Sequence, residues 1–295
     1  MKLFKFIFIV SINILVSQGL KITHMEGTYD LDGDGFQEFA SVEEGLLGNK
    51  KSSVIRYYEL DDDGYQKMGW ELEAPDGLLG NFVNVKLGDL DGDGVPELIT
   101  VSNLAELDQD ELLQPIAFYY YWDGERFSEE AGSVLNLSGG RNFVRAHNFV
   151  LMDYAGDMDQ ELAVSLGSPL REIVILDLND AGEWYVLQSV KPSGMSSGVG
   201  AIFVAAVDWN HDGYDEIITF SPEGNILRAQ PFYNPGAGLI AGDNQDTPIP
   251  GLDGLIPNAI STTEDRKSVV QGKSVDPGGR LNVKKKRNDP MYRRS

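Results

Sequence analysis

One acidic pattern occurs four times in this chain, and few folds accommodate that. Its clearest copy is Asp89-Leu90-Asp91-Gly92-Asp93-Gly94-Val95-Pro96-Glu97. Residues 30–38 nearly repeat it, and Asp208-Trp209-Asn210-His211-Asp212-Gly213-Tyr214-Asp215-Glu216 is a third version. Asp153-Tyr154-Ala155-Gly156-Asp157-Met158-Asp159-Gln160-Glu161 is a worn fourth. The copies begin at residues 30, 89, 153 and 208, at intervals of 59, 64 and 55 residues. Such spacing marks a repeat architecture, each unit a small supersecondary element stacked on the next.

Each copy places oxygen-bearing side chains at positions 1, 3 and 5, where a tightly curled loop turns them toward one point. They are Asp30, Asp32 and Asp34; Asp89, Asp91 and Asp93; and Asp208, Asn210 and Asp212. The worn copy keeps Asp153 and Asp157 but has Ala155 between them. Gly35, Gly94 and Gly213 stand at position 6, where a sharp turn calls for positive φ, and Met158 replaces them in the worn copy. At position 7, Phe36, Val95 and Tyr214 offer a backbone carbonyl and Asp159 a carboxylate; Glu38, Glu97, Glu161 and Glu216 follow at position 9.

An all-oxygen set with several carboxylates suits Ca²⁺, whereas zinc and copper favour nitrogen or sulfur. The loop is not that of an EF-hand, whose bidentate Glu lies at position 12, because Ser41, Thr100, Val164 and Thr219 occupy that place. A single Asp-Gly string would read as a polar turn. Four in register predict a Ca²⁺ loop per repeat, weakest where Ala155 and Met158 intervene.

Short strand-like runs flank every loop: residues 38–42, 97–101, 161–165 and 216–220 follow, and 82–87, 143–151 and 201–207 precede. Further hairpins are expected at residues 54–64, at 116–127 around Asp123-Gly124, and at 173–187 around Gly182. Four short strands per repeat is the content of a β-propeller blade. The expected fold is therefore all-β, a propeller of four-stranded blades with about four repeats and an incomplete ring. Tyr119, Tyr120, Tyr121 and Trp122 offer a sugar-stacking platform, but alternating core and surface positions on a blade strand is the favoured reading.

Acidic loops of this form, each followed by an apolar strand and recurring every 60 or so residues, resemble the FG-GAP/VCBS repeat family. The resemblance spans about residues 21–232 and implies a calcium-binding β-propeller, the fold also seen in the integrin α-subunit head. The family usually ends its loop with Asp where this chain has Glu, and residues 153–161 depart further.

The ends differ from the body. Residues 1–19 read as a secretory signal, with Lys2 and Lys5, an apolar run over 7–16, then Ser17 and Gly19. That run is too short for a membrane span, and with no cysteine in the chain calcium is the available staple outside the cell. The expected location is secreted, cell-surface or periplasmic. Repeats occupy residues 20–233, and the Gly/Pro-rich stretch 234–264 reads as irregular.

Residues 265–295 turn abruptly basic and read as a disordered tail of non-native, adapter-like sequence. A further loop is due near residue 267, so the repeat array is expected to be cut there. The net charge of −22 argues against nucleic acid and anionic membranes as partners. Gly272-Lys273-Ser274 is not a phosphate loop, since Lys267 stands where the earlier glycine belongs.

No Gly-x-Ser-x-Gly elbow, cysteine nucleophile or His-Glu-x-x-His zinc motif occurs. The expected role is a non-enzymatic binding or adhesion module for a glycan or protein ligand. Two alternatives are a propeller-type polysaccharide lyase and a structural spacer of a larger surface protein. For the lyase the candidates are His147, Arg145 and His24, with His24 and His147 each six residues before a loop and so expected at one shared repeat position.

Overall fold

A computed structural model describes residues 21–47, 50–60, 63–64, 66–74, 78–106, 112–194, 202–223, 225–248, 269–270 and 273–274. The expected signal segment 1–19 lies outside the described residues. Within the basic tail the described residues are β19 (Val269–Val270) and β20 (Lys273–Ser274), which pair with each other.

Every other element belongs to one of four antiparallel sheets, and no helix is present among the described residues. Blade 1 is β1 (Lys21–Tyr29), β2 (Glu38–Leu47), β3 (Lys50–Leu60) and β4 (Gln66–Leu72). Blade 2 is β5 (Leu78–Leu79) and β6 (Phe82–Gly88), both paired with β7 (Glu97–Glu106), then β8 (Leu112–Tyr120) and β9 (Ser133–Asn136). Blade 3 is β10 (Ala146–Met152), β11 (Glu161–Leu166), β12 (Glu172–Leu178) and β13 (Trp184–Val190). Blade 4 is β14 (Phe203–Val207), β15 (Glu216–Glu223) and β16 (Ile226–Tyr233), with β17 (Ile240–Ala241) and β18 (Gln245–Pro248) both on β16.

Two expectations are corrected here. The outer strand of blade 2 is Ser133–Asn136 rather than residues 125–127, because Trp122 and Phe127 make a single bridge around the Asp123 turn and the ladder resumes beyond it. Of the stretch 234–264, expected to be irregular, residues 234–248 supply the outer edge of blade 4 through β17 and β18, and residues 249–264 lie outside the described residues. Its glycines and prolines shorten those strands without preventing them.

The innermost strands pack side by side in chain order, β1 against β6, β6 against β10 and β10 against β14. That is the arrangement of a propeller, with blades radiating from their first strands. Apolar side chains fill the spaces between blades. Ala40, Val42, Ile55 and Tyr57 meet Phe82, Val85 and Leu98 between blades 1 and 2. Ile99, Val101 and Tyr119 meet Phe149, Leu162 and Val164 between blades 2 and 3. Ala163, Ile173 and Ile175 meet Val204, Ala206 and Ile217 between blades 3 and 4. Strand β11 is buried along its whole length, because successive residues face opposite neighbours and both faces are covered.

Polar side chains stitch the same seams. Asn148 Nδ2 donates to Val204 O at 2.7 Å while its Oδ1 accepts Val204 N–H at 2.9 Å. Asn103 clasps the N–H and carbonyl of Ala146 in the same two-point way, at 2.7 and 2.9 Å. Between blades 1 and 2, Ser53 Oγ accepts the N–H of Phe82 at 2.8 Å.

Candidate metal centres and their surroundings

The four acidic loops join the first two main strands of each blade, so all lie at one end of the propeller. Their backbones share one path. Position 4 has positive φ in every copy, at 75° for Gly33, 73° for Gly92, 76° for Gly156 and 65° for His211. Position 6 does too, at 91° for Gly35, 84° for Gly94, 79° for Met158 and 93° for Gly213. The worn loop therefore keeps the curl despite Met158. The position-4 requirement escaped the sequence reading, although glycine stands there in three of the four copies.

The first aspartate of each loop holds this curl. Asp89 accepts the N–H of Gly92 at 2.8 Å and of Gly94 at 2.9 Å. Asp30 accepts Gly35 N–H at 3.3 Å, Asp153 accepts Gly156 N–H at 2.6 Å and Asp208 accepts His211 N–H at 2.6 Å. Positions 3 and 5 form short turns: Asp34 N–H donates to Asp32 at 3.1 Å, and Asp34 accepts Phe36 N–H at 2.8 Å. The same pair of bonds runs Asp93 to Asp91 and Val95 to Asp93. Asp32, Asp34, Asp91 and Asp93 each accept from the backbone through one oxygen, whereas Asp89 and Asp208 use both of theirs.

The closing glutamates are the most confined groups. Glu38, Glu97, Glu161 and Glu216 are 1, 2, 2 and 0% exposed. One oxygen of each accepts the N–H at position 2, from Leu31 at 2.7 Å, Leu90 at 2.8 Å, Tyr154 at 2.7 Å and Trp209 at 3.1 Å. The other oxygen of Glu38 is buried without a partner. Burial, reinforced by the neighbouring aspartates, raises the pKa of Glu38, Glu97 and Glu216 from 4.5 to about 7 and that of Glu161 to about 8. No lysine or arginine pairs with a loop carboxylate among the described residues.

Two loops bring three carboxylates together. Asp30, Asp32 and Glu38 each place an oxygen within 4.8 Å of the others, as do Asp89, Asp91 and Glu97. Oxygens at that mutual distance around a buried carboxylate fit a hard divalent cation, and in the first group one of them, on Glu38, has no other partner. Asp34 and Asp93 stand outside these tight groups.

The other two loops differ. In residues 208–216, Asn210 Nδ2 donates to Glu216 Oε1 at 2.6 Å and to Asp212 Oδ2 at 3.0 Å, so an amide bridges the two carboxylates. In residues 153–161, Asp157 is exposed, and the Asp159 carboxylate lies against Gly92 of the preceding loop, where an added Cβ would come within 2.2 Å of it.

Neighbouring loops are joined through their backbones. Gln160 N–H donates to Asp89 O at 2.9 Å, and Asp215 N–H to Asp153 O at 2.7 Å. Asp215 Oδ2 also accepts Asp153 N–H at 2.9 Å.

The histidines do not share a repeat position. His24 pairs with Val42, which makes it the counterpart of Asn84 opposite Val101 and of Asn148 opposite Ser165. His147 is skipped by the ladder between Ala146 and Asn148, as Val83 is between Phe82 and Asn84. An extra irregularity between Gly27 and Tyr29 lengthens blade 1 by one residue and made the spacings coincide. His24 is held below its ordinary pKa by burial and by Lys86, and its Nδ1 is buried without a partner. Tyr119 and Tyr120 are both buried, at 0 and 4% exposure, and Tyr121 is exposed, so the run does not alternate between core and surface as expected: both faces of the strand are covered at 119 and 120.

No family model and no curated protein matches the chain by sequence. Solved structures do match by shape. A protein from Lactobacillus plantarum aligns with TM-score 0.51 and 14% identity over 90% of this chain and 84% of its own. A periplasmic gluconolactonase from Pseudomonas aeruginosa aligns with TM-score 0.51 and 13% identity, over 86% and 67%. The rhamnogalacturonan lyase YesW gives 0.49 and 13%, over 90% of this chain and 59% of its own length. At such identities the likeness is one of fold, and the fold is an all-β propeller of four-stranded blades.

Proposed function

We propose that this chain is a calcium-stiffened propeller of the FG-GAP/VCBS kind that works outside the cytoplasm as a binding module for a glycan or protein ligand. The observation that carries the calcium reading is the pair of gathered sites, Asp30-Asp32-Glu38 and Asp89-Asp91-Glu97, each built around a buried glutamate that no cationic side chain pairs with among the described residues. Calcium would take carboxylate oxygens of these residues and offset the repulsion among them. The residues fit that ion in donor type and in the partnerless Glu38 oxygen.

Melting the protein in millimolar calcium and in excess chelator tests this. Sites of the extracellular class, at tenfold excess of free ion, each add about 1.4 kcal/mol by linkage. The Tm should rise clearly with calcium, and Asp91→Ala should remove more of that rise than Asp157→Ala. An unchanged Tm would end the proposal, and the reverse order would end the ranking of loops. A carbohydrate-active enzyme is the second reading, favoured by Arg145 and His147 lying close in sequence at the propeller end away from the loops. A glycan array run beside a lyase assay on uronic-acid polymers separates the two.

A further inference from the structure

Four non-glycine residues have positive φ among the described residues: Phe143 at 64°, Met158 at 79°, Arg171 at 51° and His211 at 65°. Met158 and His211 belong to the acidic loops. Phe143 and Arg171 lie at the other end of blade 3, since Ala146 pairs with Leu166 at the end of the β10–β11 ladder remote from residues 153–161. Strained backbone of this kind persists where its surroundings hold it, and it concentrates at ligand clamps.

The two strained residues sit on connected loops. Gly167 N–H donates to Arg145 O at 2.8 Å, and Arg171 N–H donates to Gly167 O at 2.8 Å. The first loop is braced internally, with Ser138 N–H on Asn136 Oδ1 at 2.9 Å and Arg141 N–H on Ser138 O at 3.1 Å. Asn103, itself buried, pins its far end at Ala146. Phe143 is nevertheless 62% exposed, so a costly conformation presents an apolar ring to solvent.

The charge there opposes that of the whole chain. Residues 131–152 contain no Asp or Glu, in a protein with 46 acidic residues and a net charge of −22, yet they carry Arg141, Arg145 and His147. Residues 162–171 are also free of acids and add Arg171. Arg141 and Arg145 are exposed and enter no ion pair among the described residues, whereas Arg56, Arg126 and Arg228 each do.

We infer that the loops 137–145 and 167–171 form a binding site for a carboxylate-bearing polysaccharide, with Arg141 and Arg145 taking sugar carboxylates and Phe143 stacking on a pyranose face. The guanidinium fork matches a carboxylate in two-point fashion, and an exposed flat ring suits the C–H face of a sugar. The preset loops lower the ordering cost of binding. This rests on the binding-module reading and names its ligand class.

The test uses calorimetric titration of the full chain, in calcium, with tetragalacturonate. Saturable binding is expected, falling about tenfold or more in R141A/R145A, because two charge-assisted contacts to sugar carboxylates are lost. F143G should weaken binding comparably while leaving the Tm equal or higher, since glycine holds φ of 64° without strain. No binding to the wild-type chain would overturn the inference. So would equal binding of the methyl-esterified, neutral oligosaccharide, tighter binding of oligoglutamate, or unchanged affinity in both variants. Calcium-dependent melting of the same samples keeps the readings apart: a calcium shift without tetragalacturonate binding removes this inference alone.

Discussion

At single residues the loops show what backbone conformation costs. Met158 and His211 stand where the other copies have glycine, and both hold left-handed φ. An L-residue there costs about 1–2 kcal/mol, partly offset by the larger entropy that glycine loses on folding. Met158→Gly and His211→Gly should each stabilise the fold by about 0.5–1 kcal/mol, read as a higher midpoint in denaturant. A loss of stability would mean that these side chains contribute more than their exposed positions suggest. Asn210 is a different kind of exception, since its amide lies between Asp212 and Glu216 and supplies the positive edge that the other loops lack.

At the level of strands, much was legible because a loop with a fixed donor pattern must sit between two strands. The repeat count of about four and the four-stranded content of each repeat followed from that. The histidine equivalence failed because chain spacing does not count the bulges that set which residue faces which. The outer strand of blade 2 was misplaced because the Asp123 turn gives a strong hairpin signal for only one bridge. The outer edge of blade 4 was missed because its strands are short and lie among prolines and glycines.

The asparagine clasps belong to this scale as well. Asn148→Ala would strand the N–H and carbonyl of Val204 and should cost on the order of 2 kcal/mol or more. Asn142→Ala, at an exposed loop position, should change stability by less than about 0.5 kcal/mol. Equal effects in thermal melts would show that the clasp contributes nothing.

For the molecule as a whole, the four buried glutamates set a pH dependence. Their folded pKa values, about 7 to 8, lie above the ordinary 4.5, so without a cation the folded state holds protons that the unfolded chain releases. Stability of the chelated protein should therefore fall as pH rises from about 4.5 through 8, the reverse of ordinary paired carboxylates. Calcium in place of the proton should restore it at the alkaline end. Melts at pH 5 and pH 8, with and without chelator, check both signs, and a chelated protein more stable at pH 8 would contradict them.

The backbone bonds between loops also decide how the sites talk to one another. Position 8 donates its N–H to the preceding loop from Gln160 and from Asp215, but in residues 89–97 that position is Pro96, which has no N–H to give. The second, third and fourth loops thus form one mechanically linked series, and Pro96 insulates the first from it. Binding in linked loops should be reciprocally coupled, each ion altering affinity for the next. In a double-mutant cycle on calcium-dependent stability, Asp32→Ala and Asp91→Ala should add to within about 0.5 kcal/mol, whereas Asp91→Ala and Asp153→Ala should not. One proline would then divide the calcium response of this propeller into an independent site and a cooperative one.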